Sequence, residues 1–590
     1  MKVIQVMFDT LRRDYLTPYG GTDISTPNFD RLAEKSVRFD NFFAGSLPCM
    51  PARRELHTGR YNFLHRGWGP VEPFDDSMPE ILTNNGVYTH LVTDHKHYWR
   101  DGGATYHPRY SSYELIRGQE GDRWKPRVVK NMEVKGLENL HPKMKERKLG
   151  SITQDLVNRE YMQREEDHPL YRTVEAGLHF LKENKDADHW FLQIECFDPH
   201  EPFFVPKKYL DMCGVTDEYD GWITYTHDDF SNDKRNMVQG YYKALVKMCD
   251  EYLGKVLDYM DEWNLWEDTM LIVNTDHGFL LGEHEWWGKN IMPFYNEVAQ
   301  LPFFIWDPRS RVQNVHCEQL AQTIDVPATI LEFFNLTIPN DMDGKPLTTI
   351  IHEEHPNHDD VLFGAYASSI NISDGEYVYM RFPSPNYEGK LYEYTLSPMR
   401  MERRFTPKEL TNITLDNSFS FTKGISVLKV ESDTNMMKSY QRYQNRLYNY
   451  KEDPKQELPI YDIKKEFEMI QRMKHLMKEN EAPQELYAYY GLDKVNSEND
   501  LINEHESIGK EKEISLNGLS FSNSGTKEGY LLLQGILKGE MKEELTNYFI
   551  SLGNGHVIDT EQIQHWVEGN VPKEEQPFTI YQLNMALRID

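Results

Sequence analysis

The sequence predicts an α/β fold: a large, mostly parallel sheet covered by helices, then a smaller C-terminal α+β subdomain and an appended C-terminal module. Three observations carry this. Short apolar runs recur and end abruptly in polar clusters. Val3 to Phe8 ends at Asp9-Thr10, Val87 to Val92 at Thr93-Asp94-His95, Trp190 to Phe197 at Asp198-Pro199-His200, and Met270 to Val273 at Asn274-Thr275-Asp276-His277. Stretches with helical spacing, such as Thr26 to Lys35 and Val238 to Met260, lie between them. Buried strands that alternate with helices imply a parallel sheet covered on both faces. Beyond about Asp360 the texture changes to period-two alternation, as in half-buried antiparallel strands.

Each element has its own justification. The four apolar runs are short enough for strands and deliver an Asp or His at their carboxyl ends, where ligands collect in such sheets. Glu376 to Phe382, Lys390 to Tyr394 and Arg446 to Tyr450 supply the antiparallel strands, and Lys451 to Pro454 a turn. A helix follows with Ile463, Phe467, Ile470, Met473 and Met477 on one docking face, ended by Pro483. Asn496 to Glu513 is polar and charged and reads as a linker. Tyr530 to Asp590 regains apolar periodicity around Ile536, Leu545, Tyr548 and Phe549. The expected division is residues 1–360 for the α/β domain, 361–495 for the antiparallel sheet and helix, and 496–590 for linker and module. The module is expected to mediate homo-oligomerisation or to cover a cleft.

Composition narrows the function classes. The 590 residues are 39% hydrophobic and 13% aromatic, ample for a core. A net charge of -29 argues against nucleic acid as a partner, since phosphate binding needs a basic surface, but leaves room for a small anion in a local cationic pocket. The five cysteines (Cys49, Cys196, Cys213, Cys249, Cys317) are scattered and lack CxxC spacing, so neither a disulfide framework nor a zinc site is indicated. The opening MKVIQVMFDT reads as a buried strand rather than a signal peptide, and no apolar run is long enough to span a bilayer. The expectation is a cytoplasmic, prokaryotic protein with no membrane partner.

The stretch SLPCMPARRELHTGR, Ser46 to Arg60, is the strongest local signal. Cys49 follows Pro48, and Pro51 takes a first-turn position of a helix carrying Arg53, Arg54, Glu55 and Leu56. Residue 49 is thereby set at a positive dipole end, which favours anions and anionic nucleophiles. Chemistry explains this cysteine better than packing does.

Cys49-Met50-Pro51-Ala52-Arg53, with Leu56 and Thr58-Gly59, resembles the C-x-P-x-R-x-x-L-x-T-G signature of the type I sulfatases. These belong to the alkaline-phosphatase-like superfamily, as do the phosphonate monoester hydrolases. Asp9-Thr10-Leu11-Arg12 and Asp276-His277-Gly278 fit the family's metal-binding strands, Gly282-Glu283-His284 with Lys289 its lysine segment, and Leu447-Tyr448 with Asp453-Pro454 its C-terminal subdomain. Only the last stretch of about 100 residues falls outside the pattern. The resemblance implies that a maturase oxidises Cys49 to formylglycine, although Ala52 stands where serine is common.

That resemblance implies a sulfuric ester hydrolase acting on an aryl or carbohydrate sulfate. Asp9, Asp276, His277 and the modified residue 49 would bind one divalent cation. Calcium is the first expectation, with magnesium or manganese as alternatives because carboxylates suit the former and an imidazole the latter. Arg53, four residues from Cys49 on one helix face, would hold the geminal diol. His200 and Lys289 would contact the sulfate and its leaving oxygen. Thr10 departs from the family's frequent second aspartate. At the Thr93 to His97 strand end Asp94 stands near the family's usual lysine, which makes His95 the candidate for that contact and His97 the weaker one. His284 suits the site or a solvated loop. Tyr98, Trp99, Tyr106, Tyr110 and Trp124 suit stacking on a sugar or aryl ring as well as core packing. Two other readings stay open: a phosphonate or phosphodiester hydrolase on the same scaffold, and a non-catalytic binder that kept the fold.

Overall fold

The computed structural model describes residues 1–128, 142–216, 222–223, 225–227, 231–352, 356–417, 419–432, 440–441 and 443–509, then short pieces at 514–516, 519–521, 545, 548, 557–558 and 560–571. Eight strands form the main sheet, in the order Val315–Cys317, Val37–Phe39, Phe303–Trp306, Thr269–Asn274, Lys2–Phe8, Trp190–Cys196, Tyr88–Thr93 and Ser112–Leu115. Pairing is parallel except around Phe303–Trp306, which runs against both neighbours. The parallel, helix-covered sheet expected from the sequence is therefore present.

Alternation along the central strands shows why both faces are covered. Val3 and Met7 enter one core with helices Cys49–Thr58, Met78–Asn84 and Asp325–Phe333. Ile4, Val6 and Phe8 enter the other with helices Pro27–Lys35, Pro169–Asn184 and Asn232–Glu262. Met270 and Ile272 against Leu271 and Val273 repeat the division one strand away. A strand buried on both faces reads as one continuous apolar run.

The C-terminal part adds an antiparallel sheet, Val361–Gly364, Ile370–Ser373, Tyr377–Arg381 and Arg446–Asn449. Helix Ile463–Glu479 lies on it, with Met469, Ile470, Met473 and Met477 buried and Ile463 and Phe467 at the margin. A second small sheet joins Tyr392–Thr395, Val427–Glu431 and Thr414–Asp416.

One expectation changes. The stretch read as a linker forms helix Glu498–Gly509, anchored by buried Leu501 in the same core. Arg381 pairs with Glu504 at 2.9 Å, and His505 lies 2.8 Å from Glu466. Ile536 and Phe549 of the appended module lie outside the described residues, as does most of residues 510–556.

Candidate active site

Four adjacent strands of the sheet (Thr269–Asn274, Lys2–Phe8, Trp190–Cys196 and Tyr88–Thr93) run parallel and end on one edge. Asp9 leaves the second and is tied by its backbone N–H to the Cys196 carbonyl at 2.9 Å. Asp276 and His277 follow the first, His200 the third and His95 the fourth. Helix Cys49–Thr58 lays its first residue over this edge. One ligand atom each from Asp9, Cys49, Asp276 and His277 lies within 4.8 Å of all the others, and all four residues are buried. Cys49 Sγ is 3.1 Å from His277 Nε2 and 3.8 Å from His200 Nε2.

Arg53 is the hub beneath. Its Nη2 donates to Asp9 Oδ2 at 2.8 Å, its Nη1 to Asp276 Oδ2 at 2.6 Å, and its Nε to Glu195 Oε1 at 2.7 Å. Nη1 also donates to the backbone carbonyl of Cys49 at 2.9 Å. With a thiol at position 49, Arg53 reaches the main chain of that residue, and the buried carboxylates fix the rest of the guanidinium. Glu195 escaped the sequence reading, since it sits inside an apolar strand where a charge is unusual. Tyr98 and Gln193 complete its hydrogen bonding at 2.8 and 3.0 Å.

Three buried carboxylates around one guanidinium leave surplus negative charge. Burial would raise Asp9, but the Arg53 charge first, with that of Lys289, holds it well below the usual carboxylate range. Burial and the Asp9 carboxylate push Asp276 up to about 7 despite Arg53. A second cation, or a proton on Asp276, balances such a set. These residues fit a divalent metal: two carboxylates, one imidazole nitrogen and the side chain at position 49.

Both histidines facing Cys49 are oriented alike. His277 Nδ1 meets the Gly278 carbonyl at 2.9 Å and His200 Nδ1 meets that of Glu201. Each ring therefore carries its proton on Nδ1 and turns the Nε2 lone pair toward residue 49. Burial, then the Lys289 charge, pull His277 down to about 3 and hold His200 well below its ordinary value, so both rings are neutral.

Lys289 Nζ donates to Thr10 Oγ1 and pairs with Glu201 Oε2, each at 3.2 Å. Burial opposes its charge, yet Cys49, Glu201 and Asp9 raise it above the ordinary lysine value. Thr10 in turn donates its hydroxyl to Asp9 Oδ1 at 2.6 Å and its backbone N–H to Asp276 Oδ1 at 3.1 Å.

His95 comes in at the edge, its Nε2 3.3 Å from Asp9 Oδ2. The other candidates lie elsewhere. His97 pairs with Glu402 at 3.2 Å, Asp94 shares the Gln119 amide with Asp198, and His284 stacks on Tyr295 at 3.5 Å. Tyr98, Tyr106 and Tyr110 are buried, with hydroxyls donated to Glu195, the Gly69 carbonyl and Gln193, so they serve packing.

The family model "Sulfatase" matches residues 2–336. The chain belongs to the sulfatase family. It is thus a type I sulfatase of the alkaline-phosphatase-like superfamily, and a sulfuric ester hydrolase by class. A second model, "N-sulphoglucosamine sulphohydrolase, C-terminal", matches residues 282–421. An arylsulfatase of Clostridium perfringens is 22% identical over 72% of this sulfatase and 92% of its own length. The multifunctional alkaline phosphatase superfamily protein PehA of Trinickia caryophylli is 24% identical over 71% and 92%. Among solved structures, one in complex with its substrate D-glucosamine-2-N,6-O-disulfate superposes with TM-score 0.56 at 15% identity, covering 82% of this chain and 98% of that one. A phosphonate monoester hydrolase of Agrobacterium radiobacter superposes with TM-score 0.56 at 16% identity, covering 81% and 96%. Among the described residues of this sulfatase, no helix is long and apolar enough to cross a membrane.

Proposed function

We propose that the protein hydrolyses aryl or carbohydrate sulfate esters, with Cys49 oxidised by a maturase to formylglycine as the nucleophile. The observation that carries this is the convergence of Asp9, Cys49, Asp276 and His277 within 4.8 Å, at the start of a helix. A hydrated aldehyde puts two hydroxyls on one carbon. One attacks sulfur and gives up its proton to the Asp276 carboxylate, the S–O bond to the alcohol breaks, and Lys289 gives a proton to the leaving oxygen. The second hydroxyl then loses its proton to His200 Nε2, the C–O bond to sulfate breaks, and the aldehyde re-forms, to which water adds to restore the diol. This divides one hard displacement into two easier steps.

A divalent cation held by Asp9, Asp276, His277 and residue 49 would supply Lewis-acid polarisation of the ester. The imidazole and the neutral Thr10 in place of a further carboxylate shift the preference from calcium toward manganese. His95 steadies Asp9 in this reading, and Arg53 neutralises the carboxylates from beneath.

A phosphonate monoester or phosphodiester substrate is the second reading, supported by the Asp276-His277 pair and Thr10. Peptide mass spectrometry of residue 49, with turnover of matched aryl sulfate and aryl phosphonate esters, tests both. Activity is expected to track the aldehyde fraction, and Cys49→Ala to be folded and inactive. An unmodified thiol in fully active enzyme would sink the mechanism. A strong preference for the phosphonate would keep the mechanism and change the substrate.

A further inference from the structure

Glu201 has no part in the chemistry above, yet it is buried and sits between the two groups that move protons. Its Oε2 lies 3.2 Å from Lys289 Nζ and 3.1 Å from His200 Nδ1. Its Oε1 accepts the Tyr225 hydroxyl, and its own backbone carbonyl accepts from His200 Nδ1. A carboxylate 4% exposed is costly unless its partners fix it, and here one side chain is held at both oxygens.

We propose that Glu201 is a positioning residue that aims Lys289 at the leaving oxygen. Lysine is a compact charge on a flexible four-carbon stem, so its direction has to come from its neighbours. The ammonium donates to Thr10 Oγ1 on one side and is ion-paired with Glu201 Oε2 on another, which fixes its direction and leaves N–H for the substrate. Tyr225 prevents the carboxylate from swinging toward solvent. The same Oε2 braces His200, so acid and base are set from one point. This inference rests on Lys289 being the group that protonates the leaving alcohol.

The test is the leaving-group dependence of kcat in the full-length, metal-loaded enzyme with matched formylglycine content. Glu201→Gln keeps size and removes charge. It is expected to slow phenyl sulfate about 100-fold and 4-nitrophenyl sulfate less than about 10-fold, since only the poorer leaving group needs its proton supplied. Glu201→Asp should recover part of the phenyl sulfate rate, and Tyr225→Phe should show the same bias more weakly. A purely structural role would lower both substrates alike, and that result in Glu201→Gln and Tyr225→Phe overturns the proposal. Lys289→Met separates the two readings. If it shows the bias and the Glu201 variants do not, the positioning role fails while the Lys289 assignment stands. If Lys289→Met slows both substrates equally, the Lys289 assignment fails and takes the positioning role with it.

Discussion

At Thr10 the backbone is left-handed, with φ of 68°, a region a β-branched residue enters at a cost of about 1–3 kcal/mol. The bonds from its N–H to Asp276 and from its hydroxyl to Asp9 hold it there, so the strain serves the ligand set. Thr10→Asp should add a carboxylate at a position aspartate tolerates better, and is expected to raise calcium affinity relative to manganese by about 10-fold. Competition titration reads this, and an unchanged ratio would remove Thr10 from the cation's surroundings. Asp276→Asn is expected to abolish most metal binding and activity while leaving the thermal midpoint near wild type, because it removes a carboxyl already in surplus. Elemental analysis alongside a melt checks it, and equal metal content in both proteins would refute the ligand assignment. The residues legible in the sequence were those at strand ends, where an apolar run stops at Asp or His. Glu195 and Glu201 were not, because one lies within a strand and the other hides in a Pro-rich turn.

Among the elements, helix Cys49–Thr58 closes at Gly59, whose φ is 61°. A Cβ there would also press on Met342 and the Ile324 carbonyl at 3.2 and 3.3 Å. Gly59→Ala is expected to cost about 1–2 kcal/mol, read as a lower denaturant midpoint at unchanged slope. The helix at residues 498–509 shows where pattern reading stopped. Among residues 498–505 of this helix only Leu501 is buried in full, and one buried residue gives no periodicity to count. A chain ending at 495 loses that anchor and leaves Arg381 without Glu504, so it should be about 1–3 kcal/mol less stable than one ending at 509. Equal denaturation midpoints would show that the helix docks without contributing. Light scattering of the 509 form against the full chain asks separately whether the module joins subunits.

Stability of the whole molecule should depend on pH through a pair the chemistry does not use. Asp94 and Asp198 are both buried and share the Gln119 amide at 3.1 and 2.8 Å. Burial raises Asp94 to about 7, and burial with the neighbouring Asp94 raises Asp198 well above the carboxylate range. A raised folded value means the stability is fully present below about pH 4 and is lost as pH climbs through about 7. Between pH 5 and 8 the folding free energy should fall by up to about 1.4 kcal/mol per unit for each of the two carboxyls, and Asp94→Asn should make that slope shallower. Identical slopes in both proteins would place the titrating protons elsewhere. The parallel sheet and its buried strands were readable because burial on two faces erases alternation and leaves solid apolar runs. The single reversed strand, Phe303–Trp306, was not, since direction leaves no mark on such a run.

Cys49 is 1% exposed in the finished fold, enclosed by residues from both ends of the catalytic half. On the proposed chemistry this sets a deadline. An enzyme that oxidises Cys49 has to reach it before the strand ending at Asn274 docks beside Lys2–Phe8 and closes the edge. At synthesis rates of roughly 5–20 residues per second, the interval from the emergence of residue 49 to that of residue 276 is about 10–45 s. Slower maturation than that would leave a thiol locked in place, folded and silent, and no later supply of maturase would recover it without unfolding. Expression at lower temperature, which slows translation and maturation unequally, should therefore change the fraction of active molecules while leaving the yield of folded protein the same.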